Sequence, residues 1–453
     1  MKYENAKDVL SEALFRELQK QAAGKLLYVP HSGARRPWGE KTGYKRQILA
    51  RNREIRRKYA EGASIDSLAD EFFLTPESVK KIIYDKKERN AMELAEIMKL
   101  YSDETPIRTK TVNEIVKDSV KPPIYFLETA VAYPERKLTL FVCDYSFVTP
   151  DRIAQCARVI DAYRAKDLRC PQIVPNRYGN LTHDVSYNGR ECTVFAQELP
   201  EKPALADCEK AREPDGRFLC HDALITASAE IASLCLRGDE TAAMEIFEPF
   251  TACSAFEDFT EEYVAELKDR IVLEHPALIG RFERVEALFR ENREILRPLY
   301  KKLPTSLFHM MEMPEREVLV NEDGTLAGFR DFYNGGKETC LGYLFHVIDN
   351  LYACEYEGGN ACGEMESETL GKQRTAAFEK DLRLAAKIYR FSDDEIRAAP
   401  MAYKNMLLGE RYYWQIEEYA GNDENKLAAF LDYLARQLAA DEIDFENAMR
   451  PDR

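Results

Sequence analysis

A histidine and an aspartate, each closing an apolar strand, are the residues of this chain whose placing invites chemistry. Residues 303–334 read LPTSLFHMMEMPEREVLVNEDGTLAGFRDFYN. An apolar strand ends at His309, a short loop follows, and a second strand spans Val318, Leu319 and Val320. A turn at Asn321, Glu322, Asp323 and Gly324 leads into a third strand that closes on Asp331 and Phe332. Phosphoryl transfer asks this of such loops: a carboxylate that positions an attacking hydroxyl, and oxygen ligands for a metal that bridges the phosphates.

The frame resembles the aminoglycoside phosphotransferase family, in which His-Gly-Asp, an Asn a few residues on and a later Asp form the site. The resemblance puts Met311 at the catalytic Asp and Arg316 or Glu317 at the metal-binding Asn, leaving Asp331 as the one acidic match. A thioether can neither position a hydroxyl nor hold magnesium. Glu312 is a poor stand-in, because neighbours on an extended segment point to opposite sides. His309, Met311 and Arg316 are therefore degenerate positions. Asp331 is the candidate metal ligand, with a structural role for loop N–H groups as its rival.

The elements that must position these residues begin after residue 111. Strands are expected at 124–132 and 138–145, a helix at 149–166, and a hairpin of 181–187 and 191–198 turning at Asn188 and Gly189. That order matches the small lobe of a kinase-like fold, with Gln197, Glu198, Leu199 and Pro200 at the hinge to a helical large lobe. No glycine occurs from 63 to 178, so a Gly-rich phosphate cradle is absent there. No Lys stands within the strand at 138–143; Lys137, one step before it, reads as a solvated charge. His221 and Asp222 open a helix and suit capping. Glu355, Glu357, Glu364, Glu366 and Glu368 read as a solvated loop.

The net charge of −15 conceals an asymmetry. Residues 1–90 hold 20 Lys and Arg against 13 Asp and Glu, and the rest of the chain holds 44 against 66, giving +7 and −22. A basic head on an acidic body points to a polyanion-binding module at one end. Within the head, 51–89 has the organisation of a helix-turn-helix: a helix stopping near Gly62, a second capped by Ser64, the turn at Leu74, and a third capped by Thr75 with Pro76 at its first position. Residues 1–87 are similar to the Mor transcription activator type of DNA-binding domain, which implies DNA binding and dimerisation. Thr75, Ser78, Lys80, Lys81, Tyr84, Arg51 and Arg53 are the candidate DNA contacts.

The expectation is a multidomain chain: an all-α helix-turn-helix domain at 1–90, a linker helix and loop at 91–111, then an α+β kinase-like bilobal body with a small mixed β lobe at 112–200 and a helical large lobe at 201–453. The leading function is a DNA-binding regulator, a homodimer with a small-molecule effector and no cofactor. Its rival is a small-molecule phosphotransferase using ATP and magnesium. Apolar content of 45% with 32% charged residues excludes a disordered chain. The absence of a long apolar run or a signal-peptide core points to a cytoplasmic protein off the membrane. The 11 cysteines, none of them in a C-x-x-C pair, are expected to be reduced.

Overall fold

The computed structural model divides into two units, Met1–Glu88 and Arg89–Arg453. It describes residues 55, 58, 64–72, 74–76 and 78–80 of the first, and 92–117, 124–144, 150–238, 259–309, 314–330, 332, 335–356, 368–407, 416 and 423–450 of the second.

In the first unit the helix α1 (Ile65–Glu71) starts where the Ser64 hydroxyl accepts the Ser67 N–H at 3.1 Å. Thr75 does the same for Ser78 at 3.2 Å, so two Ser/Thr residues quench helix-end donors that would otherwise be orphaned. Ile55, Leu68 and Val79 are fully buried together, with Ile65, Phe72 and Leu74 packed around them. Lys58 pairs with Glu71 and lies over the Phe72 ring. The rest of the expected helix-turn-helix lies outside the described residues.

The second unit is an α+β body. Its elements begin with α2 (Leu94–Met98), β1 (Arg108–Lys117), β2 (Ile124–Ala132), β3 (Lys137–Asp144), α3 (Pro150–Arg164), β4 (Gln172–Val174), β5 (His183–Tyr187) and β6 (Arg190–Glu198). The strands form one sheet in the order β1-β2-β3-β6-β4, with β5 also paired to β6. Every pairing in it is antiparallel, so the expected mixed lobe is corrected: the long connection through α3 could return β4 parallel to β3, but β6 lies between the two and pairs antiparallel with both. The hairpin of β5 and β6 turns at Asn188 and Gly189, whose φ of 48° and 77° match the twist of the flanking strands. Strand β1 begins inside the segment expected as a linker; its polar run RTKTVNEIVK carried no apolar alternation to announce it.

Alternation sends the sheet's side chains to two cores. Phe126, Phe141, Cys143 and Phe195 pack on Ile153, Cys156 and Tyr163 of α3 and join the helical core. Tyr125, Leu127, Leu140, Val142, Val194 and Ala196 face Ile97, Leu100 and Tyr101 on the other side. Burial on both faces explains why β3 and β6 read as continuous apolar runs.

The chain leaves β6 at Glu198 and builds a helical body: α4 (His221–Ala232), α5 (Phe259–Glu274) and α6 (Ile279–Tyr300), then β7 (Thr305–Phe308), the short α7 (Pro314–Glu317), β8 (Val318–Val320), β9 (Leu326–Phe329) and β10 (Gly336–Thr339). Helices α8 (Cys340–Tyr356), α9 (Glu368–Ala386), α10 (Asp393–Met406), α11 (Glu424–Ala439) and α12 (Phe445–Met449) complete it. The three-strand frame expected at 303–334 is replaced by two separate ribbons. β8 pairs with β9, but β7 pairs with β10, a strand the sequence reading did not foresee. No described helix is long and apolar enough to cross a membrane.

Candidate active site

His309 follows β7 directly and has no exposed surface. Its Nδ1 lies 2.8 Å from the Tyr163 hydroxyl, which also accepts the His309 backbone N–H at 3.3 Å. The hydroxyl oxygen, with two lone pairs and one proton, serves both the backbone N–H and Nδ1, while Nε2 is buried without a hydrogen-bond partner among the described residues. The ring stands edge-on to Tyr163 and packs against Phe329 and Phe332, with centroids 5.2, 4.3 and 5.5 Å away. Burial pushes its pKa down to about 3, so the imidazole is neutral. His309 is thus a packed, hydrogen-bonded anchor for the strand end, not a titrating base.

That anchor brings two loops together. The Cys156 thiol of α3 donates to the Phe332 carbonyl at 2.8 Å, and burial pushes this thiol up to about 11, keeping it protonated. At Gly335 a Cβ would stand 2.6 Å from the Phe308 carbonyl oxygen, so only glycine lets the returning chain pass this close to β7. The chain leaving His309 and the chain around Phe332 therefore share one neighbourhood. Met311 and Asp331, which these loops carry, lie outside the described residues, as does Glu312. Arg152, Gln155 and Cys156 of α3 close a small internal cavity with Phe332, Gly335 and Gly336.

The loop after 313 becomes α7, where Arg316 is exposed to solvent. Glu315 is held by the Arg212 guanidinium at 2.6 Å. Arg212 in turn donates to the carbonyls of Gly216 at 2.7 Å and Cys354 at 3.1 Å and lies 4.3 Å from the Phe218 ring centroid. The Arg330 N–H donates to the Glu317 carbonyl at 3.0 Å, tying α7 to the end of β9. On the sheet, Phe141 stacks on Phe195 at 4.5 Å, where a strand lysine would be sought, while Lys137 meets Glu201 at 3.0 Å in solvent.

Of the candidate DNA contacts, Thr75 and Lys80 are exposed and Ser78 is half-buried. The Thr75 hydroxyl is committed to its cap and lies 3.0 Å from the Ser78 hydroxyl. Arg51, Arg53, Lys81 and Tyr84 fall outside the described residues.

One cluster escaped the sequence reading. His221 is buried between Glu355, 2.8 Å from Nδ1, and Asp381, 2.9 Å from Nε2; Glu355 also accepts the Phe218 N–H at 2.8 Å. Burial alone would lower the His221 pKa, but the hydrogen bonds and charges of the two carboxylates outweigh it and raise the value to about 9. The expected helix cap is therefore corrected: the ring bridges α4, α8 and α9, and Asp222 pairs instead with Arg217. Glu355 leaves the expected solvated loop for the core. Its partners stand 134 and 160 positions from their histidine, so no local signal linked them.

The antiparallel sheet with α3 beneath it, the strand exit at Glu198 and the helical body with two short ribbons define an α+β fold with a sheet-bearing part and a helical part. No known protein-family profile matches the chain. Over 87 residues, 19% of its length, it is 37% identical to the whole of the uncharacterized protein YraL of Bacillus subtilis (strain 168), and through that stretch it belongs to the YraL family. Among solved structures it is similar to a microcompartment-associated aminopropanol kinase, at 14% identity over 79% of this chain and 98% of that one, with a TM-score of 0.43. It is also similar to the amicoumacin kinase hAmiN, in complex with AMP-PNP, Ca2+ and Ami, at 12% identity over 79% and 97%, with a TM-score of 0.48.

Proposed function

We propose that the body is a small-molecule phosphotransferase of the aminoglycoside type that uses ATP with magnesium, ahead of the regulator favoured by the sequence reading. The observation that supports it is the convergence of the His309 strand end and the Phe332 loop under α3, held by the Tyr163 and Cys156 hydrogen bonds. Such packing fixes where the two loops begin, which is what a transfer site needs of its scaffold. The groups for chemistry are fewer. Met311 leaves Glu312 or Glu315 to position the acceptor hydroxyl, Glu315 being paired with Arg212, and Asp331 as the candidate for the metal. The described residues do not fit a second metal ligand: Arg316 is an exposed cation, and no three His, Cys, Asp or Glu side chains among them are placed to hold a metal ion.

Nucleotide binding is accordingly the first quantity to measure. ATP with magnesium at a hundredfold excess over Kd should stabilise the full chain by about 2.7 kcal/mol. Asp331→Ala should cancel the magnesium-dependent part of that gain. A melting temperature indifferent to ATP and magnesium would remove the reading.

A second reading draws on Met311 and on the +7 charge of residues 1–90. In it the body binds a small effector without transferring phosphate, no cofactor is needed, and the basic head, as a homodimer, binds DNA at half-sites about 34 Å apart. A fluorescence titration on the protein's own upstream DNA should then weaken steeply with salt. Binding indifferent to salt, or a monomer at micromolar concentration, would count against it.

A further inference from the structure

Between the end of α3 and the chain leaving β6 lies an open cleft of about 650 Å³. Small-ligand sites are typically ~300–1,000 Å³, so it has the capacity of one. Arg164, Asp167 and Arg169 stand on one wall, and Glu198, Glu201 and Lys202 on the other.

Both walls are pinned by backbone hydrogen bonds. The Arg169 N–H donates to the Ala327 carbonyl at 2.8 Å and its carbonyl accepts the Phe329 N–H at 2.9 Å. Asp167, just before, holds a left-handed φ of 59° at the close of α3, where the Leu168 N–H turns back to the Tyr163 carbonyl at 3.4 Å. Opposite, the Lys202 N–H donates to the Pro200 carbonyl at 2.9 Å and the Pro203 carbonyl accepts the Val320 N–H at 3.0 Å. Register sets Gln172 against Glu198.

The charges on these walls do not neutralise one another. Glu201 is taken by Lys137, outside the cleft, at 3.0 Å. Arg164, Arg169, Lys202, Asp167 and Glu198 make no ion pair with any described residue, although both signs line one space. Arg164, Asp167 and Arg169 are exposed and hydrated, and the charge of Lys202 acts on Asp323. A molecule carrying both signs can exchange hydration for an ion pair on each wall. The planar fork of arginine suits a phosphate or carboxylate, and a carboxylate wall suits an ammonium.

We propose that this cleft binds a small zwitterion, an ammonium with a phosphate or carboxylate a few atoms away, the anion meeting Arg164 and Arg169 and the ammonium meeting Glu198. The site uses none of the residues assigned to phosphate transfer and does not depend on that reading. An occupant would bridge the α3–β4 connection to the chain that leads from the sheet into the helical body.

Isothermal titration of the full chain with phosphoethanolamine, γ-aminobutyrate, inorganic phosphate and ethanolamine tests it. One of the two zwitterions should bind at least roughly tenfold more tightly than either phosphate or ethanolamine, and which one does so separates the phosphate from the carboxylate source. The double variant R164A/R169A should lose that preference, and Glu198→Gln should weaken the zwitterion while leaving phosphate unchanged. Should the double variant melt early, Lys202→Ala and Glu198→Gln carry the test by themselves. Zwitterions that bind no better than their halves, or variants with unaltered affinity, would overturn the proposal.

Discussion

His309 and His221 are both buried in the same body, one at a strand end and one at a helix start, and their environments drive them to opposite charge states. His309 is surrounded by Tyr163, Phe329 and Phe332, with a phenol as its hydrogen-bond partner, and burial holds its pKa near 3. His221 is also buried, though less completely, and two carboxylates within 3 Å lift its pKa to about 9. Desolvation acts on both rings in the same direction. What differs is the partner: a neutral hydroxyl cannot offset the cost of a buried charge, whereas two anions can. The first histidine therefore serves packing beside the candidate site, and the second locks α4, α8 and α9 with an ionic bridge.

The sharpest way to break this contrast is His221→Leu. It leaves Glu355 and Asp381 buried without their cation, and should cost about 3–5 kcal/mol in urea unfolding at pH 7. A loss under about 1 kcal/mol at pH 7 would mean the bridge is not formed. Tyr163→Phe comes next. It strips the His309 ring of its hydrogen-bond partner and its backbone N–H of an acceptor, for about 1–3 kcal/mol, and should leave His221 untouched in an NMR titration of the imidazoles.

The pH dependence of stability should show both histidines as separate limbs. His221 has a folded pKa above its unfolded value of about 6.5, so its contribution is complete below that value and is lost as pH rises through about 9. His309 has a folded pKa below its unfolded value, so the unfolded chain binds the extra proton and stability falls as pH drops from about 6.5 toward about 3. His221→Asn should flatten the alkaline limb alone and His309→Leu the acidic limb alone; a variant that flattens the other limb would refute the assignment. Smallest of all, Lys137→Ala removes an exposed pair with Glu201 and should change stability by at most about 1 kcal/mol, an effect reduced by added salt.

Much of the sheet was legible because its signals are local. The Asn188-Gly189 turn between apolar strands carries its own geometry, and the strands expected at 124–132 and 138–145 match β2 and, one residue displaced, β3. The helix expected at 149–166 is α3, one residue shorter at its start and two at its end, with a buried stripe of Ile153, Cys156, Ile160 and Tyr163. Strand β1 stayed hidden because its exposed residues show no apolar alternation. The pairing of β7 with β10 was missed for a different reason: adjacency in sequence suggested β8, while the chain between them turns into α7 and frees β7 for a later partner. At the candidate site, His309 was recognised from the apolar strand it ends. Tyr163, 146 positions earlier, was not, since nothing in a helix's own pattern says which distant ring its hydroxyl will meet.

By itself the sequence determined residue types and local geometry: a basic head on an acidic body, turn and cap residues, apolar periodicity, and a methionine where a carboxylate would be wanted. Only the tertiary structure decided which of these groups meet, and with that their charge. Hydrophobic period and turn chemistry act over a few residues, so they can be read along the chain. The protonation of His221 and His309, the pairing of Glu315 with Arg212 and the meeting of both signs of charge at the α3–β4 cleft depend on desolvation or on partners brought together by folding.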